Sequence, residues 1–337
     1  MIVESDEIVR EPLVSVTVLV YNAEKYLRKC FDGIVMQKVT FPFEVIVGED
    51  CSTDKSREIC LEYQKKYPKL FRLILHEKNQ GLIGNVLSVN KLIRGLFATS
   101  IGGDDYWCYD KKLQIQVDYL SSHSDVGLCY TNVITCNDEG VEDNVPLLEI
   151  ESLPKSFEEQ LFSACYMAPN TWMSRAEVYD RISEQQSWFT DESLATALDF
   201  LHESKMHFID VVTTVYRHHE GSLSAQTDVK KMWKYVCGIM KMQVYYAEKY
   251  HCSEELIMKL KLQEYCHYLT SALEAGDNAF ISEAVDYFHQ QGMELKWVVE
   301  NCKQYVGYHH QYEQIKHSKA YRLGKFLLKP FKIFKKK

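Results

Sequence analysis

The chain has 337 residues, 46% hydrophobic and 26% charged, which is typical of a globular protein with one large domain or two ordinary ones. It lacks any stretch of 18 apolar residues, so no membrane-spanning helix is predicted, and its acidic first residues lack the apolar run of a secretory signal. Eleven cysteines without a C-x-x-C pair fit reduced thiols, so we expect a cytoplasmic protein.

Charge is distributed unevenly along the chain. Residues 316–337 contain nine Lys or Arg residues and no Asp or Glu, which leaves 30 basic and 47 acidic residues in the rest. Because contacts to phosphate backbones need clustered positive charge, this acidic body argues against nucleic acid as a partner.

Four strands alternating with helices are predicted in the first hundred residues. The strands cover 13–20, 43–48, 71–76 and 97–101, and the helices cover 24–36, about 55–67 and a segment that ends near Gly95. The first strand is apolar on both faces, as in a strand buried on both sides. The alternation predicts an α/β fold with a mainly parallel sheet flanked by helices.

Polar residues follow three of these strands. They are, in chain order, Tyr21 and Asn22, then Glu49 and Asp50, then Asp104 and Asp105. Because ligands bind at the carboxyl ends of parallel strands, we expect these groups to converge on one rim of the sheet.

The last of these segments is Gly102-Gly103-Asp104-Asp105. Two adjacent carboxylates at the end of a buried strand destabilise a fold unless a positive group meets them. Carboxylates suit Mg²⁺ or Mn²⁺, which commonly bridge a protein carboxylate to substrate phosphates. The simpler alternative is a tight turn with two solvated aspartates. The sequence contains neither G-x-G-x-x-G nor G-x-x-x-x-G-K-[ST], so a bound nucleotide would need another means, such as a carboxylate-held cation, to manage its phosphates.

Three segments together resemble one known family. The runs VSVTVLVYNAEKYLRKCFDGIVMQ, FEVIVGEDCSTDKSREIC and GGDDYWCYDKKLQIQVDYL resemble glycosyltransferase family 2, which has the GT-A fold, over about residues 12–225. Some members share the "GDDYW" segment. The resemblance implies transfer of a sugar from a nucleotide-sugar, usually UDP-linked, to an acceptor hydroxyl with inversion at the anomeric carbon.

The resemblance implies roles for the rim residues. Tyr21 matches the tyrosine that packs on uracil, and Asp50 matches the base-binding acid of the D-D-G-S-T-D segment, which reads EDCSTD here. Their neighbours Asn22 and Glu49 are assigned to nucleotide binding with them. Asp104 matches the last acid of the D-x-D metal motif, and Asp105 is the acid that follows it. The first D-x-D position is Gly102, so the ligand expected there is missing.

An acidic pair further along resembles the family's acceptor-side segment. In WFTDESL, Asp191 would be the general base that deprotonates the acceptor, and Glu192 is the alternative base. The competing interpretation is that Asp191 caps a helix, a position where aspartate is favoured.

The run YRHHEGSLS resembles the segment of the family that carries a histidine facing the metal or diphosphate. That histidine is His219, and Arg217 lies in the same stretch; a surface loop with two solvated histidines is the alternative. We expect residues 167–171 to line the acceptor side. Trp107 and Trp188 are candidates for stacking on sugar rings, although a tryptophan is more often in the core.

The sequence predicts that the chain has three parts. They are a catalytic domain at 1–225, with a nucleotide half at about 12–130 and an acceptor half at 131–225, a helical extension at 226–315, and a basic amphipathic tail at 316–337. The tail combines basic and apolar residues, which suits an anionic membrane surface, while a disordered or partner-bound tail is the alternative.

The function expected from these features is a metal-dependent inverting glycosyltransferase with a glycan or lipid-linked acceptor, in surface polysaccharide or lipid-linked glycan assembly. It would be cytoplasmic, with peripheral attachment to the inner face of the membrane through the tail. Two alternatives remain. One is a catalytically silent GT-A scaffold, and the other is a GGDEF-like nucleotide cyclase, which would place its acids in a β-hairpin.

Overall fold

The computed structural model describes residues 1–178, 189–219 and 229–275, with a few isolated positions up to residue 290. The chain divides into two compact units, Met1–Thr227 and Asp228–Lys337. Trp188, residues 220–224, most of 280–290 and the tail, all named in the sequence analysis, lie outside the described residues.

Nine strands of the described part of the first unit form a single sheet. They are β1 Ile2–Val3, β2 Val14–Val20, β3 Phe43–Glu49, β4 Phe71–Leu75, β5 Phe97–Gly102, β6 Tyr106–Trp107, β7 Val126–Cys136, β8 Met173–Arg175 and β9 Lys205–Arg217. Their order in the sheet is β1-β4-β3-β2-β5-β8-β7-β9-β6. The strands β2 to β5 match the four predicted strands to within one residue at each end.

The pairing explains where the polar residues meet. Strand β2 is parallel to β3 and β5, and β3 is parallel to β4, so the carboxyl ends of all four lie at one edge. The sheet continues through antiparallel β8 into the parallel pair of β7 and β9, and β6 pairs antiparallel with β9. The predicted α/β class with a mainly parallel sheet is confirmed.

Helices cover both faces of the first unit's sheet. They are α1 Leu27–Val35, α2 Ser56–Lys66, α3 Gly81–Asn90, α4 Lys112–Ser122, α5 Phe157–Ser163 and α6 Glu192–Glu203. Side chains of α1, α2 and α4 share a core with one face of β2, whose apolar residues are almost fully buried. Val89 of α3 packs with Ile46 and Ile74 in a separate cluster. The strand is covered on both sides, and its second face buries Ser15 and Thr17 as well as apolar groups.

The second unit contains two described helices, α7 Val229–Lys249 and α8 Glu254–Ala275. They pack on each other, and the Lys261 ammonium donates to Glu248 Oε1 at 2.7 Å. No helix within the described ranges combines the length and apolarity needed to cross a membrane.

Candidate active site

The loops after β2 and β3 are fastened to each other by hydrogen bonds. The Asn22 N–H donates to Ser52 Oγ at 3.0 Å, and Asn22 Oδ1 accepts from the Thr53 N–H at 2.8 Å. Two residues further on, the Glu24 N–H donates to Asp54 Oδ2, and Glu24 Oε2 accepts from the Lys55 N–H. This reciprocal set fixes the rim that the sequence assigns to the nucleotide.

Tyr21 and Asn22 lie on this rim in different ways. The Tyr21 side chain is 53% exposed, which suits a ring that stacks on a ligand. Asn22 has a positive φ of 49°, a conformation that asparagine tolerates better than most residues, and its side chain is used to hold the neighbouring loop. Its assignment to nucleotide binding stays a prediction; the structure shows it as support for the loop.

Glu49 lies beneath the rim. Its side chain has no exposed surface, Oε2 is paired with Arg57, and Oε1 accepts from the Ser52 N–H at 2.6 Å. Arg57 also donates to the carbonyl of His76 at 2.6 Å. The expectation of direct contact between Glu49 and a nucleotide is therefore corrected, because both carboxylate oxygens hold the loop in place.

Asp50, the next residue, is also buried, but its carboxylate is less committed. Oδ1 accepts from the Gln80 N–H at 2.7 Å, and the Asp50 carbonyl accepts from Asn79 at 3.2 Å. Among the residues that the structure describes, no donor reaches Oδ2. The base-binding assignment of Asp50 stays a prediction that this geometry allows.

Asp104 and His219 are brought together from positions 115 residues apart. The Asp104 side chain is 37% exposed, and its Oδ2 lies 3.1 Å from His219 Nε2. A Cβ at Gly102 would lie 2.5 Å from Asp104 Oδ1, so glycine at this position leaves space for the carboxylate as it is placed. The absence of an acid at the first position of the D-x-D motif is thus linked to the place that the Asp104 carboxylate occupies.

Asp105 is buried, unlike its neighbour, and is held at both oxygens. Oδ1 accepts from the Arg217 backbone N–H and Oδ2 from the Asn170 side chain, both at 2.9 Å. Neither donor group carries a formal charge. Burial and then the charge of Asp104 raise the pKa of Asp105 to about 7. The expected role of Asp105 as a possible ligand is not what this structure shows, since the side chain ties β9 and residue 170 to the acidic turn.

Arg217 does not point its guanidinium at either carboxylate. Its Nε donates to the Asp104 carbonyl at 3.0 Å and its Nη1 to the Asn137 carbonyl at 3.0 Å. The guanidinium carbon lies 4.6 Å from the centre of the Tyr26 ring. Arg217 is buried, and its Nε and Nη1 brace the turn, so the structure shows this possible site residue as a support for Asp104.

Trp107 belongs to the core. Its side chain is 1% exposed and shares a cluster with Leu27, Phe31 and Leu113. The Lys112 ammonium lies 4.5 Å from its ring centre and donates to Gln116, and burial lowers the pKa of Lys112 to about 7. The proposed stacking of Trp107 on a sugar is wrong, because no ligand can reach a ring buried in this way.

The acidic pair at residues 191–192 begins α6. Asp191 is the N-cap, and Oδ1 accepts from the Ser193 N–H at 2.9 Å, the Leu194 N–H at 3.0 Å and the Ser193 hydroxyl at 2.5 Å. The predicted cap is therefore present, and all three of these bonds end on one oxygen. The cap fixes the orientation of the carboxylate without involving Oδ2 in these bonds.

Glu192 faces a cavity of about 200 Å³ between α3 and α6. Pro169, from the segment 167–171 predicted to line the acceptor side, also borders this cavity, together with Trp172 and with Asn90 of α3. Burial, and then the charge of Asp191, raise the pKa of Glu192. Glu192 therefore lines a space that borders β2 and β5, and Asp191 is its neighbour in the chain.

The donor set of Asp104 and His219 fits a divalent cation. The described residues contain no group of three or more His, Cys, Asp or Glu side chains that could hold a metal alone. One carboxylate and one imidazole suit Mn²⁺, and Mg²⁺ is often bound by one or two carboxylates together with substrate phosphates. The residues present thus fit a cation that is completed by a substrate rather than one caged by protein.

Sequence reasoning missed two residues that shape the site, and it assigned a third, Asn170, to the acceptor side rather than to a contact with Asp105. Asn170 holds Asp105, while Tyr26 and Asp138 lie against the residues that contact Asp104. Tyr26 falls within the helix predicted at 24–36 and belongs to no functional motif, and Asp138 lies in a loop without any motif. Tyr26 and Asp138 are 112 positions apart in the chain, so the spacing of the sequence gives no sign that they are in contact.

Comparison with known proteins agrees with this architecture. Residues 15–182 match the model of glycosyl transferase family 2. Residues 1–349 of S. aureus TarS, solved with UDP-GlcNAc, superpose with a TM-score of 0.56 at 18% identity, covering 76% of this chain and 72% of that one. A mannosyltransferase of Pyrobaculum calidifontis, solved with GDP-Man and Mn²⁺, gives 0.55 at 13% identity, covering 93% and 83%. The fold is that of the GT-A glycosyltransferases.

Sequence relatives point the same way. An uncharacterised protein of Mycobacterium tuberculosis is 32% identical over 228 residues, which are 65% of this chain and 63% of that protein. Glycosyltransferase GlyA of Streptococcus pneumoniae is 26% identical over 226 residues, 63% of this chain and 31% of its own length. The matched part thus spans less than two thirds of each of these relatives. The chain belongs to glycosyltransferase family 2.

Proposed function

We propose that this protein transfers a sugar from a nucleoside diphosphate sugar, most simply a UDP-sugar, to an acceptor hydroxyl with inversion. The observation that carries the proposal is the pairing of Asp104 with His219 on the rim next to Tyr21 and Asp50. Support also comes from TarS, which has this fold and was solved with UDP-GlcNAc.

The nucleotide is proposed to lie across the carboxyl ends of β2, β3 and β5. Tyr21 would stack on the base, and Asp50 Oδ2 would accept a hydrogen bond from it. Asp104 and His219 would hold Mg²⁺ or Mn²⁺ against the diphosphate, where a cation neutralises the negative charge that develops on the departing group. The rim loops contribute rigidity, because their hydrogen bonds are already made.

Asp191 is proposed as the general base of an inverting displacement. As the acceptor oxygen forms its bond to the anomeric carbon, the bond from that carbon to the diphosphate oxygen breaks and its electron pair leaves with the nucleotide. The acceptor proton passes to Asp191, whose carboxylate the helix cap orients. Glu192 is the second candidate, because it faces the cavity and has a raised pKa.

A nucleotide cyclase of the GGDEF type is disfavoured by the strand pairing. Such enzymes place their acids in a β-hairpin, whereas β5 and β6, which flank Asp104 and Asp105, are not paired with each other. β6 pairs with β9, and α4 begins at Lys112. The acidic turn therefore connects two separate positions in the sheet.

The direct test is hydrolysis of a panel of UDP- and GDP-sugars with Mn²⁺, repeated on Asp104→Ala and Asp191→Ala. We expect hydrolysis of one donor class that Asp104→Ala abolishes. A lack of both hydrolysis and nucleotide binding across the panel would indicate a scaffold, and turnover of nucleoside triphosphates would indicate a cyclase.

We further propose that the acceptor is a glycan or a lipid-linked glycan and that the tail at 316–337 holds the enzyme at an anionic membrane. The support is charge segregation, since the tail carries nine basic residues among aromatic and aliphatic ones. Deleting residues 316–337 should abolish partition to anionic liposomes while leaving donor hydrolysis intact. Unchanged partition would refute the anchoring role.

A further inference from the structure

Tyr26 lies against both residues that reach Asp104 from the end of β9. The centre of its ring is 4.6 Å from the Arg217 guanidinium carbon and 5.2 Å from the centre of the His219 ring, with the two rings tilted by 36°. Arg217 donates to the Asp104 carbonyl, and His219 Nε2 lies 3.1 Å from Asp104 Oδ2. One aromatic ring therefore contacts the groups that hold the Asp104 backbone and its carboxylate.

Asp138 fixes the far end of that tyrosine. The Tyr26 hydroxyl donates to Asp138 Oδ1 in a short hydrogen bond, and the Lys25 ammonium donates to Oδ2 at 2.6 Å. The Asp138 carbonyl also accepts from Arg217 Nη1 at 3.3 Å. The loop after β7 thus binds the start of α1 and the end of β9 at the same point.

The arrangement is poorly explained by stability alone. The side chains of Lys25 and Asp138 are 57% and 41% exposed, and an ion pair in that setting contributes little to folding. Side chains that support a metal ligand, by contrast, fix its orientation and strongly affect metal affinity. A histidine next to a carboxylate needs such support, because imidazole rotation would otherwise move its nitrogen away from the ligand position.

We propose that Tyr26 and Asp138 are positioning residues that hold the His219 ring against Asp104 and thereby set the affinity for the divalent cation. The inference rests on the proposed function, since it takes Asp104 and His219 as the cation ligands. Tyr26 acts through its ring, and Asp138 acts by fixing the direction of that ring.

The chain offers a matched control for each residue. Tyr63 donates to Asp32 at 2.6 Å in a packed region between α1 and α2, so Tyr63→Phe removes the same kind of bond elsewhere. Asp125 pairs with Lys205 at 2.7 Å on an exposed surface, so Asp125→Asn matches Asp138→Asn. Neither control residue belongs to the proposed site.

The experiment measures Mn²⁺ binding to the full chain with saturating UDP, from the free-Mn²⁺ signal in electron paramagnetic resonance. Removing a supporting group costs about 10- to 100-fold in metal affinity, so we expect Tyr26→Leu to weaken binding about tenfold. Asp138→Asn and Tyr26→Phe, which keep the ring, should weaken it by a smaller factor of about three. The two controls should bind as the wild type does.

A second readout separates positioning from damage to the fold. If affinity alone is lowered, saturating Mn²⁺ should restore donor hydrolysis by Tyr26→Leu to the wild-type rate, and a rate that stays low would contradict the inference. Should Tyr26→Leu fail to fold, Tyr26→Phe and Asp138→Asn decide the matter. Wild-type Mn²⁺ affinity in those two variants would overturn the inference.

The inference can fail separately from the proposed function. If Asp104→Asn abolishes Mn²⁺ binding while the Tyr26 and Asp138 variants bind normally, the cation site stands and the positioning role is refuted. If the wild type binds no Mn²⁺ with UDP, both are refuted.

Discussion

Two pairs of adjacent acids stand at the carboxyl ends of β3 and β5, the strands on either side of β2, and their charges are met in different ways. At the end of β3, the buried Glu49 carboxylate is neutralised by Arg57, which is itself partly exposed. At the end of β5, Asp105 is held only by uncharged donor groups, and Asp104 is partly exposed beside His219. Glu49 therefore supports the loop, whereas Asp104 keeps a negative charge for a cation to meet.

The largest effect we expect separates the two members of the second pair. Asp104→Asn should lower donor hydrolysis about a hundredfold or more, because the cation loses its carboxylate. Asp105→Asn should lower it by about tenfold at most, since Asp105 acts through Arg217 and Asn170. Steady-state hydrolysis of the donor found in the panel measures both. Equal losses would remove the distinction between the two acids.

Asp191 and Glu192, at the start of α6, form a third acidic pair to which the same comparison applies. Asn caps a helix about as well as Asp, so Asp191→Asn should leave the thermal midpoint unchanged but slow transfer about a hundredfold. Asp191→Ala should cost about 1 kcal/mol of stability as well. Glu192→Gln is the corresponding substitution at the neighbouring acid, which lines the cavity. If it slows transfer and Asp191→Asn does not, Glu192 is the base.

For the acids at the end of β3, we expect the loss of the Glu49 counter-charge to lower the stability of the fold. Arg57→Met leaves the buried Glu49 carboxylate without its counter-charge and should lower the free energy of unfolding by about 2 kcal/mol, a value reduced because Arg57 is partly exposed. The control is Arg28→Met, which breaks an exposed pair with Glu62 and should cost clearly less stability, because ion pairs in water contribute little. Chemical denaturation measures both. Similar losses of unfolding free energy in the two variants would contradict the role of Glu49 in supporting the loop.

The smallest expected effect is a pH dependence. The pKa of Asp105 rises to about 7 in the folded protein from its ordinary 3.8, so between about pH 4 and pH 7 the folded state binds more protons than the unfolded state. Raising the pH through this window therefore lowers wild-type stability, by about 1 kcal/mol per pH unit near the upper end.

Asp105→Asn should lack this dependence. The substituted amide can still accept from the Arg217 N–H, and a flip of the Asn170 amide would offer Oδ1, which has no partner among the described residues. The difference in free energy of unfolding between variant and wild type, measured in EDTA at pH 5, 6 and 7, should therefore shift in favour of the variant as the pH rises. A constant difference would contradict the raised pKa.

The strands and the acidic turn could be predicted because they depend on local patterns. β-branched runs define β2 and β3, and parallel strands bring their carboxyl ends to one edge whatever the side chains elsewhere. Asp104 and His219 were both assigned to the metal by their resemblance to motifs, and the structure brings them to 3.1 Å.

The division of work within each acidic pair could not be predicted. Glu49 and Asp50 look alike in sequence, and only the position of Arg57 on α2 makes Glu49 the supporting one. Trp107 lies two residues after Asp105, yet its ring is buried in the core cluster that includes Leu113. Such outcomes depend on packing between elements, which spacing along the chain does not reveal.

The most direct test of the cation site is calorimetric titration of the protein with UDP, in Mn²⁺ and in EDTA. We predict at least about tenfold tighter binding with Mn²⁺, because cation and diphosphate complete each other's coordination. Asp104→Asn should lose this enhancement and keep the affinity measured in EDTA. Equal UDP affinity with and without Mn²⁺, or an enhancement that survives Asp104→Asn, would contradict the account.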